Sequence, residues 1–184
     1  IGAGPGSYSK DPAKMKLLPG SQFPAEGDDN FMKQGVPRWT STDAPTIAAH
    51  TELVDKVCPC IVLAHSQGGP FAYRVAQARP DKVKALVLVE PAGTGDTDKA
   101  AALKAIPNVS IYGDFIAQDA RWPTIKANNL KFHDAIRAAG GKPEVIDLPA
   151  IGIQGNSHMI MMDKNNLEVA AVIQKWLVGQ GLVR

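Results

Sequence analysis

The stretch Ile61-Val62-Leu63-Ala64-His65-Ser66-Gln67-Gly68-Gly69 contains the strongest structural signal in the sequence. The apolar run from Cys60 to Ala64 predicts a strand buried on both faces, and a helix is predicted from about Gly68 to Arg79. Ser66 lies between the two, with a small residue two positions before it and another two positions after it. This pattern is typical of a sharp strand-to-helix turn that presents a nucleophile. The turn would also leave the backbone N–H of Gln67 at a helix N-terminus, where it can stabilise a developing oxyanion.

The same alternation of strand and helix continues along the chain. Strands are predicted at 60–64, 83–89, 109–112 and 144–148, and helices at 45–57, 68–79, 97–106, 124–139 and 165–178. Four repeats of this alternation indicate βαβ units, and therefore an α/β fold with a parallel sheet that carries helices on both faces. Pro107 and the Gly140-Gly141 pair are the signals that end two of these helices.

The first 44 residues show no periodic apolar spacing and are rich in Gly, Pro and Asp. They are predicted to form a loop-rich arm, and residues 45–184 the C-terminal part of a single domain. A loop of this length is unusual inside a compact domain. The arm is therefore expected to lie across a site or across a missing part of the sheet.

Composition and charge exclude several classes of function. The chain has 184 residues, 45% of them hydrophobic, and a net charge of +2, which suits one globular domain and disfavours a nucleic-acid partner. Its apolar runs are shorter than the roughly 18 residues that suggest a membrane span.

Cys58 and Cys60 are predicted to be buried free thiols, because a bridge across Pro59 would close a very small ring. No second Cys or His pair has zinc-ligand spacing, so neither a metal nor a cofactor is expected.

Residues 64–68 are similar to the Gly-x-Ser-x-Gly motif of the α/β-hydrolase family, with Ala64 in place of the first glycine. The resemblance implies a catalytic triad in the chain order Ser, acid, His. Of the four histidines, only His158 is predicted to lie in a loop between the last strand and the last helix. His65 should point away from Ser66, and His50 and His133 are predicted to lie on helices.

Two positions could supply the acid. Most members of this family place it where Asp114 stands here, with Asp119 close behind, whereas a minority use the end of the preceding strand, where Glu90 stands. The stretches 64–69, 89–91 and 155–165 together resemble the esterase 713-like carboxylesterases, a secreted group that uses the earlier position. This resemblance implies Ser66 as nucleophile, Glu90 as acid and His158 as base, with Glu90 preferred to Asp114. It also implies a secreted or periplasmic location.

The resemblance corresponds to the C-terminal half of the hydrolase fold, so the N-terminal strands and the second oxyanion N–H are missing from this sequence. The strand 60–64 would then be an open apolar edge, which soluble proteins avoid. The missing half is therefore expected as a separate chain or as a segment outside this sequence. The function expected is a serine esterase for small carboxylic esters. Thioesterase, lipase and peptidase activities share its machinery, and the alternative is a catalytically silent fragment that binds a ligand or partner chain.

Overall fold

A computed structural model describes residues 17–35 and 41–184, which group into two compact units. One unit comprises residues 41–111 and 124–146, and the other comprises 17–35, 112–123 and 147–184. The predicted arm at 1–44 lies partly outside the described residues. The predicted boundary between residues 44 and 45 remains a prediction.

Strands and helices alternate as the sequence predicted. The helices are α1 Asp28–Lys33, α2 Asp43–Val57, α3 Gly68–Ala78, α4 Trp122–Ala138 and α5 Asn166–Gly179, and the strands are β1 Cys60–His65, β2 Val83–Val89, β3 Asn108–Tyr112 and β4 Glu144–Asp147. The strands form one sheet in the order β1-β2-β3-β4. The β1–β2 and β2–β3 pairs are parallel, which confirms the predicted α/β class.

The core of the first unit lies on one face of β2. Leu86 and Leu88 of β2 pack in a single cluster with Tyr73 of α3, Leu103, and Ile136 of α4. The β2 residues of the opposite face, among them Val87, are buried as well. A strand of this kind is apolar at nearly every position, because neither face meets water.

Two predicted elements differ from those observed. The stretch predicted as a short Ala-rich helix is a 3₁₀ helix over Thr97–Leu103. The described part of the predicted arm contains the 3₁₀ turn Ala25–Gly27 followed by α1, so it is not loop throughout. In α1, Asp28 and Asp29 occupy the first turn and Lys33 the last. These charges stabilise the helix through its dipole. The helix was not predicted because the prediction relied on apolar periodicity, which these residues lack.

Strand β1 is not buried on both faces, contrary to the prediction from its apolar run. In the part of the chain that the structure describes it lies at the edge of the sheet, and the side chain of Leu63 is 59% exposed. Leu53 and Val57 of α2 are also exposed, and with Leu63 they line a groove of about 410 Å³. Strand β1 therefore has the apolar composition of a central strand, although among residues 17–35 and 41–184 it is an edge strand.

Cys58 and Cys60 form a disulfide, so the prediction of free thiols was wrong. Their Cα atoms are 4.5 Å apart, which is within the range that a disulfide can span. Pro59 fixes its own φ and lies where the chain turns from the end of α2 into β1, so that the two cysteines come close together. Both side chains are half-buried at the start of the edge strand.

In the second unit, residues close to α1 bind the loop that precedes α5. The Gln22 N–H donates to the Gly155 carbonyl (2.7 Å), and the Gln22 carbonyl accepts from the Lys164 N–H (2.9 Å). Gly155 has φ +82°, and a Cβ at this position would lie 2.0 Å from the Gly20 carbonyl oxygen. Only glycine therefore fits here. These contacts hold the loop on both sides of residues 156–163.

Candidate active site

Ser66 occupies the tight turn between β1 and α3, as predicted. Its φ is +51°, a left-handed conformation that is uncommon for a residue other than glycine. Three backbone hydrogen bonds hold it. Its N–H donates to the Val89 carbonyl (2.9 Å), and its carbonyl accepts from the N–H groups of Gly69 and Ala92 (both 2.9 Å). Gln67 is the N-cap of α3. Because the first N–H groups of a helix lack intrahelical partners, this end of α3 can receive a negative charge.

Glu90 lies beside Ser66 at the same edge of the sheet. His65 of β1 pairs with Val89 of β2, and Ser66 and Glu90 are the residues that directly follow this last pair. Glu90 also has a positive φ, +42°, and its side chain is 2% exposed. Its N–H donates to the Ile111 carbonyl (2.8 Å). Two left-handed residues side by side at the carboxyl end of parallel strands are typical of a functional site.

A buried asparagine that sequence reasoning missed supports the turn after Glu90. The Asn129 side-chain amide of α4 donates to the carbonyls of Pro91 (3.0 Å) and Gly93 (3.3 Å). Asn129 is fully buried, so its amide needs hydrogen-bond acceptors within the protein, and the carbonyls of Pro91 and Gly93 provide them. Nothing local in the sequence connects residue 129 to residues 91–93, so only the tertiary structure could reveal the contact.

The glycine that this turn requires is not the one expected. A Cβ added to Gly68 would lie 3.5 Å from the Ala64 Cβ, which is ordinary contact. A Cβ added to Gly69 would lie 2.5 Å from the Pro91 Cβ and 2.9 Å from its Cα. The close approach is therefore at Gly69, where α3 meets the turn that follows Glu90.

His158 belongs to the second unit and lies, as predicted, in the loop between β4 and α5. Its side chain is only 9% exposed, so it is not a surface loop histidine. The Trp122 indole packs against its ring, with ring centroids 4.6 Å apart and planes tilted by 47°.

The carboxylate of Asp163 binds the backbone and side chains just before His158. One oxygen accepts from the Ser157 N–H (2.8 Å) and the Asn156 amide (3.1 Å), and the other accepts from the Ser157 hydroxyl (2.7 Å). Burial raises the pKa of Asp163, and the bonds from Ser157 and Asn156 oppose that rise. Asn165 adds a further acceptor for the Asn156 amide, at 2.8 Å.

Asp114, the alternative acid, uses its carboxylate on backbone groups of its own unit. One oxygen accepts from the Phe115 N–H (2.8 Å) and the other from the Gly155 N–H (3.0 Å). Asp119 likewise accepts from the N–H groups of Arg121 (2.7 Å) and Trp122 (3.0 Å). Asp119 therefore caps a local turn, whereas Asp114 joins the residues after β3 to Gly155 in the loop that precedes α5.

Two of the remaining histidines lie on helices, as expected. His50 is exposed on α2 and donates to the Thr46 carbonyl (2.8 Å). His133 is fully buried on α4, with its Nε2 close to the Tyr73 hydroxyl (3.0 Å) and the Ser110 hydroxyl (3.2 Å). Burial, and next the Arg137 guanidinium, lower the pKa of His133 to about 4. Its ring is therefore neutral at pH 7.

Within residues 17–35 and 41–184, no three His, Cys, Asp or Glu side chains come together in a way that could hold a metal ion. The helices in these ranges are also too short or too polar to cross a membrane.

Comparison with known proteins relates this geometry to one fold. No family model matches the sequence. A solved bacterial esterase superposes with a TM-score of 0.85 at 33% identity, over 97% of this chain and 56% of the esterase. A probable secreted lipase from Fungal sp. (strain ATCC 74256) is 30% identical, over 72% of this chain and 49% of the lipase. The chain thus spans about half the length of each relative. It has the α/β-hydrolase fold, and the predicted resemblance to esterases of that family is confirmed.

Proposed function

We propose that this chain carries the catalytic residues of a serine hydrolase that cleaves small carboxylic esters. The observation that carries the proposal is the pair of left-handed residues, Ser66 and Glu90, which directly follow two neighbouring strands. Strain of this kind costs free energy and persists where it serves a site. The likeness to an esterase and a lipase supports ester hydrolysis as the reaction.

In the first half of the proposed reaction, His158 removes the proton from the Ser66 hydroxyl as Oγ attacks the carbonyl carbon of the ester. The backbone N–H of Gln67 stabilises the oxyanion that forms. His158 then gives the proton to the departing alcohol oxygen, and the C–O bond of the ester breaks. The acyl group remains on Ser66 as a new ester.

In the second half, His158 removes a proton from water, and the hydroxide formed attacks the acyl carbon. The bond to Ser66 Oγ breaks, Oγ regains the proton from His158, and the carboxylic acid leaves. Throughout, Glu90 holds the imidazole in one tautomer and stabilises its cationic form. The use of both Asp114 oxygens on backbone N–H groups favours Glu90 over Asp114 for this role.

The proposed location is outside the cytoplasm. The fungal relative is named as a secreted lipase, and the Cys58–Cys60 disulfide suits an oxidising compartment.

Labelling with a fluorophosphonate tests the proposed nucleophile. In the natural polypeptide that contains this chain, we expect the tag on Ser66 and turnover of a p-nitrophenyl ester. Ser66→Ala should abolish both, while the matched control Ser41→Ala, at an exposed serine, should retain both. Labelling that persists in Ser66→Ala would refute the assignment. A wild-type protein that binds esters without turnover would support the alternative, a silent binding module.

We also propose that further strands of the hydrolase sheet, supplied by polypeptide outside these residues, cover the edge of β1. The groove beside this strand is apolar, and the side chains of Leu53, Val57 and Leu63 are 53%, 61% and 59% exposed. An open apolar strand edge invites pairing. Added strands would also bring a second oxyanion N–H, and the loss of one such donor costs about 100-fold or more in rate.

Substitution of Leu63 by glutamate tests whether this edge is covered. In the natural polypeptide, Leu63→Glu should lower the melting temperature by several degrees, because a charge would be buried against the added strands. The control is Leu167→Glu, since Leu167 of α5 is 81% exposed. Equal melting temperatures for the two variants would show that the β1 edge faces water.

A further inference from the structure

We infer that Asp163 is a positioning residue for catalysis, which holds the loop that carries His158 in its working conformation. This inference rests on the proposed function, since it assumes that His158 is the base. Asp163 does not itself touch the reacting atoms in this scheme. It acts through the backbone and side chains of residues 156 and 157.

The contacts of Asp163 close a loop of the chain. Its carboxylate accepts from the Ser157 N–H, the Ser157 hydroxyl and the Asn156 amide, so residue 163 binds back to the two residues that precede His158. The Ser157 hydroxyl in turn accepts from the Met159 N–H (3.0 Å). His158 is thus flanked on both sides by residues tied to the same network.

Burial makes this network specific. Asn156 and Asp163 are fully buried, and Ser157 is nearly so. A buried carboxylate is costly unless hydrogen bonds satisfy it, and here three donors do so. Such a network holds one arrangement, because any rearrangement would leave buried polar groups without partners.

Outside this network, backbone hydrogen bonds fix the ends of the loop. The Asn156 carbonyl accepts from the Asp114 N–H (3.1 Å), and the Asn166 N–H donates to the Asp163 carbonyl (3.0 Å). The loop ends are therefore held by groups other than the Asp163 side chain. Loss of that side chain should disturb the position of His158 more than it disturbs the fold.

Two substitutions of Asp163 separate positioning from a general loss of structure. In the natural polypeptide, Asp163→Ala removes all three acceptor contacts. We expect kcat for a p-nitrophenyl ester to fall about 100-fold, the loss typical of a misplacement near 1 Å, with KM changed less than threefold. Asp163→Asn keeps the shape, and its single oxygen can still accept from the Ser157 N–H and the Asn156 amide. It should restore kcat to within about tenfold of the wild type.

The control is Ile136→Val, a buried change on α4 that lowers stability in the other unit and should leave kcat unchanged. The inference is overturned if Asp163→Ala loses no more kcat than this control, or if Asp163→Asn is as inactive as Asp163→Ala. Should Asp163→Ala fail to fold, Ser157→Ala decides: a fall in kcat of about tenfold supports positioning, and an unchanged kcat overturns it.

The outcomes also separate this inference from the proposed function. If Ser66→Ala is inactive while Asp163→Ala matches the wild type, only the positioning role fails. If Ser66→Ala keeps the wild-type rate, the proposed function fails and the role of Asp163 fails with it.

Discussion

Two adjacent glycines at the start of α3 should respond to the same substitution in opposite ways. At Gly69, an added Cβ would lie 2.5 Å from the Pro91 Cβ and 2.9 Å from its Cα. Backbone atoms of Pro91 cannot move aside cheaply, because the Asn129 amide holds its carbonyl. At Gly68 the nearest atom, the Ala64 Cβ, would be 3.5 Å away.

The expected magnitudes follow from these distances. Overpacking of a well-packed site costs about 1–3 kcal/mol, so Gly69→Ala should lower the free energy of unfolding by about 2 kcal/mol. For a chain of this size that corresponds to a melting temperature lower by about 4–8 °C. Gly68→Ala meets no clash and gains helix propensity, so its free energy of unfolding should be unchanged or higher by up to about 1 kcal/mol.

Urea denaturation, followed by circular dichroism at pH 7, measures both variants against the wild type. Because Pro91 follows Glu90, ester turnover by Gly69→Ala should also fall, whereas Gly68→Ala should keep its activity. Equal stability of the two variants, or a larger loss for Gly68→Ala, would refute the packing argument.

Three further predictions concern groups away from the turn. His133 has a pKa near 4, below the ordinary value of 6.5, so the unfolded chain binds more protons between these pH values. The free energy of unfolding should therefore be highest above pH 6.5 and fall by up to about 3 kcal/mol as the pH drops to 4. In His133→Gln, the free energy of unfolding from urea titrations should fall less steeply over this pH range. Asn129→Asp should lower the melting temperature more than Asn129→Ala, because a carboxylate would face two carbonyls. Replacement of Cys58 and Cys60 by serine should cost only about 1–2 kcal/mol in chemical denaturation, since the disulfide closes a very short loop, and a larger cost would contradict this estimate.

The elements that the sequence predicted well are those with local signals. The apolar run of β2, the helix end at Gly140 and the serine before Gly68 all depend on residues close in the chain. The stop at Gly140 is confirmed, since α4 ends at Ala138 and Gly140 has φ +91°. Local signals of this kind carry over directly from sequence to structure.

The features that the sequence did not predict depend on distant contacts. The apolar run of β1 predicts burial, but the burial of a strand depends on what lies beside it. Asp163 and Asn129 are ordinary polar residues in sequence, and their roles come from partners brought close by the fold. The small ring predicts free thiols at Cys58 and Cys60, but the turn at Pro59 places their Cα atoms 4.5 Å apart and the disulfide forms.

The hydrogen bonds between Gln22 and residues 155 and 164 have a consequence for the order of folding. They join parts of the chain more than 130 residues apart, whereas the unit of residues 41–111 and 124–146 is built from segments closer in sequence. Contacts between distant residues form late, because a long loop must close first. On the ribosome, the unit with Ser66 and Glu90 can assemble while the chain is still growing. The loop with His158 must wait until residues 155–164 have been made and can meet Gln22, more than 130 residues earlier in the chain.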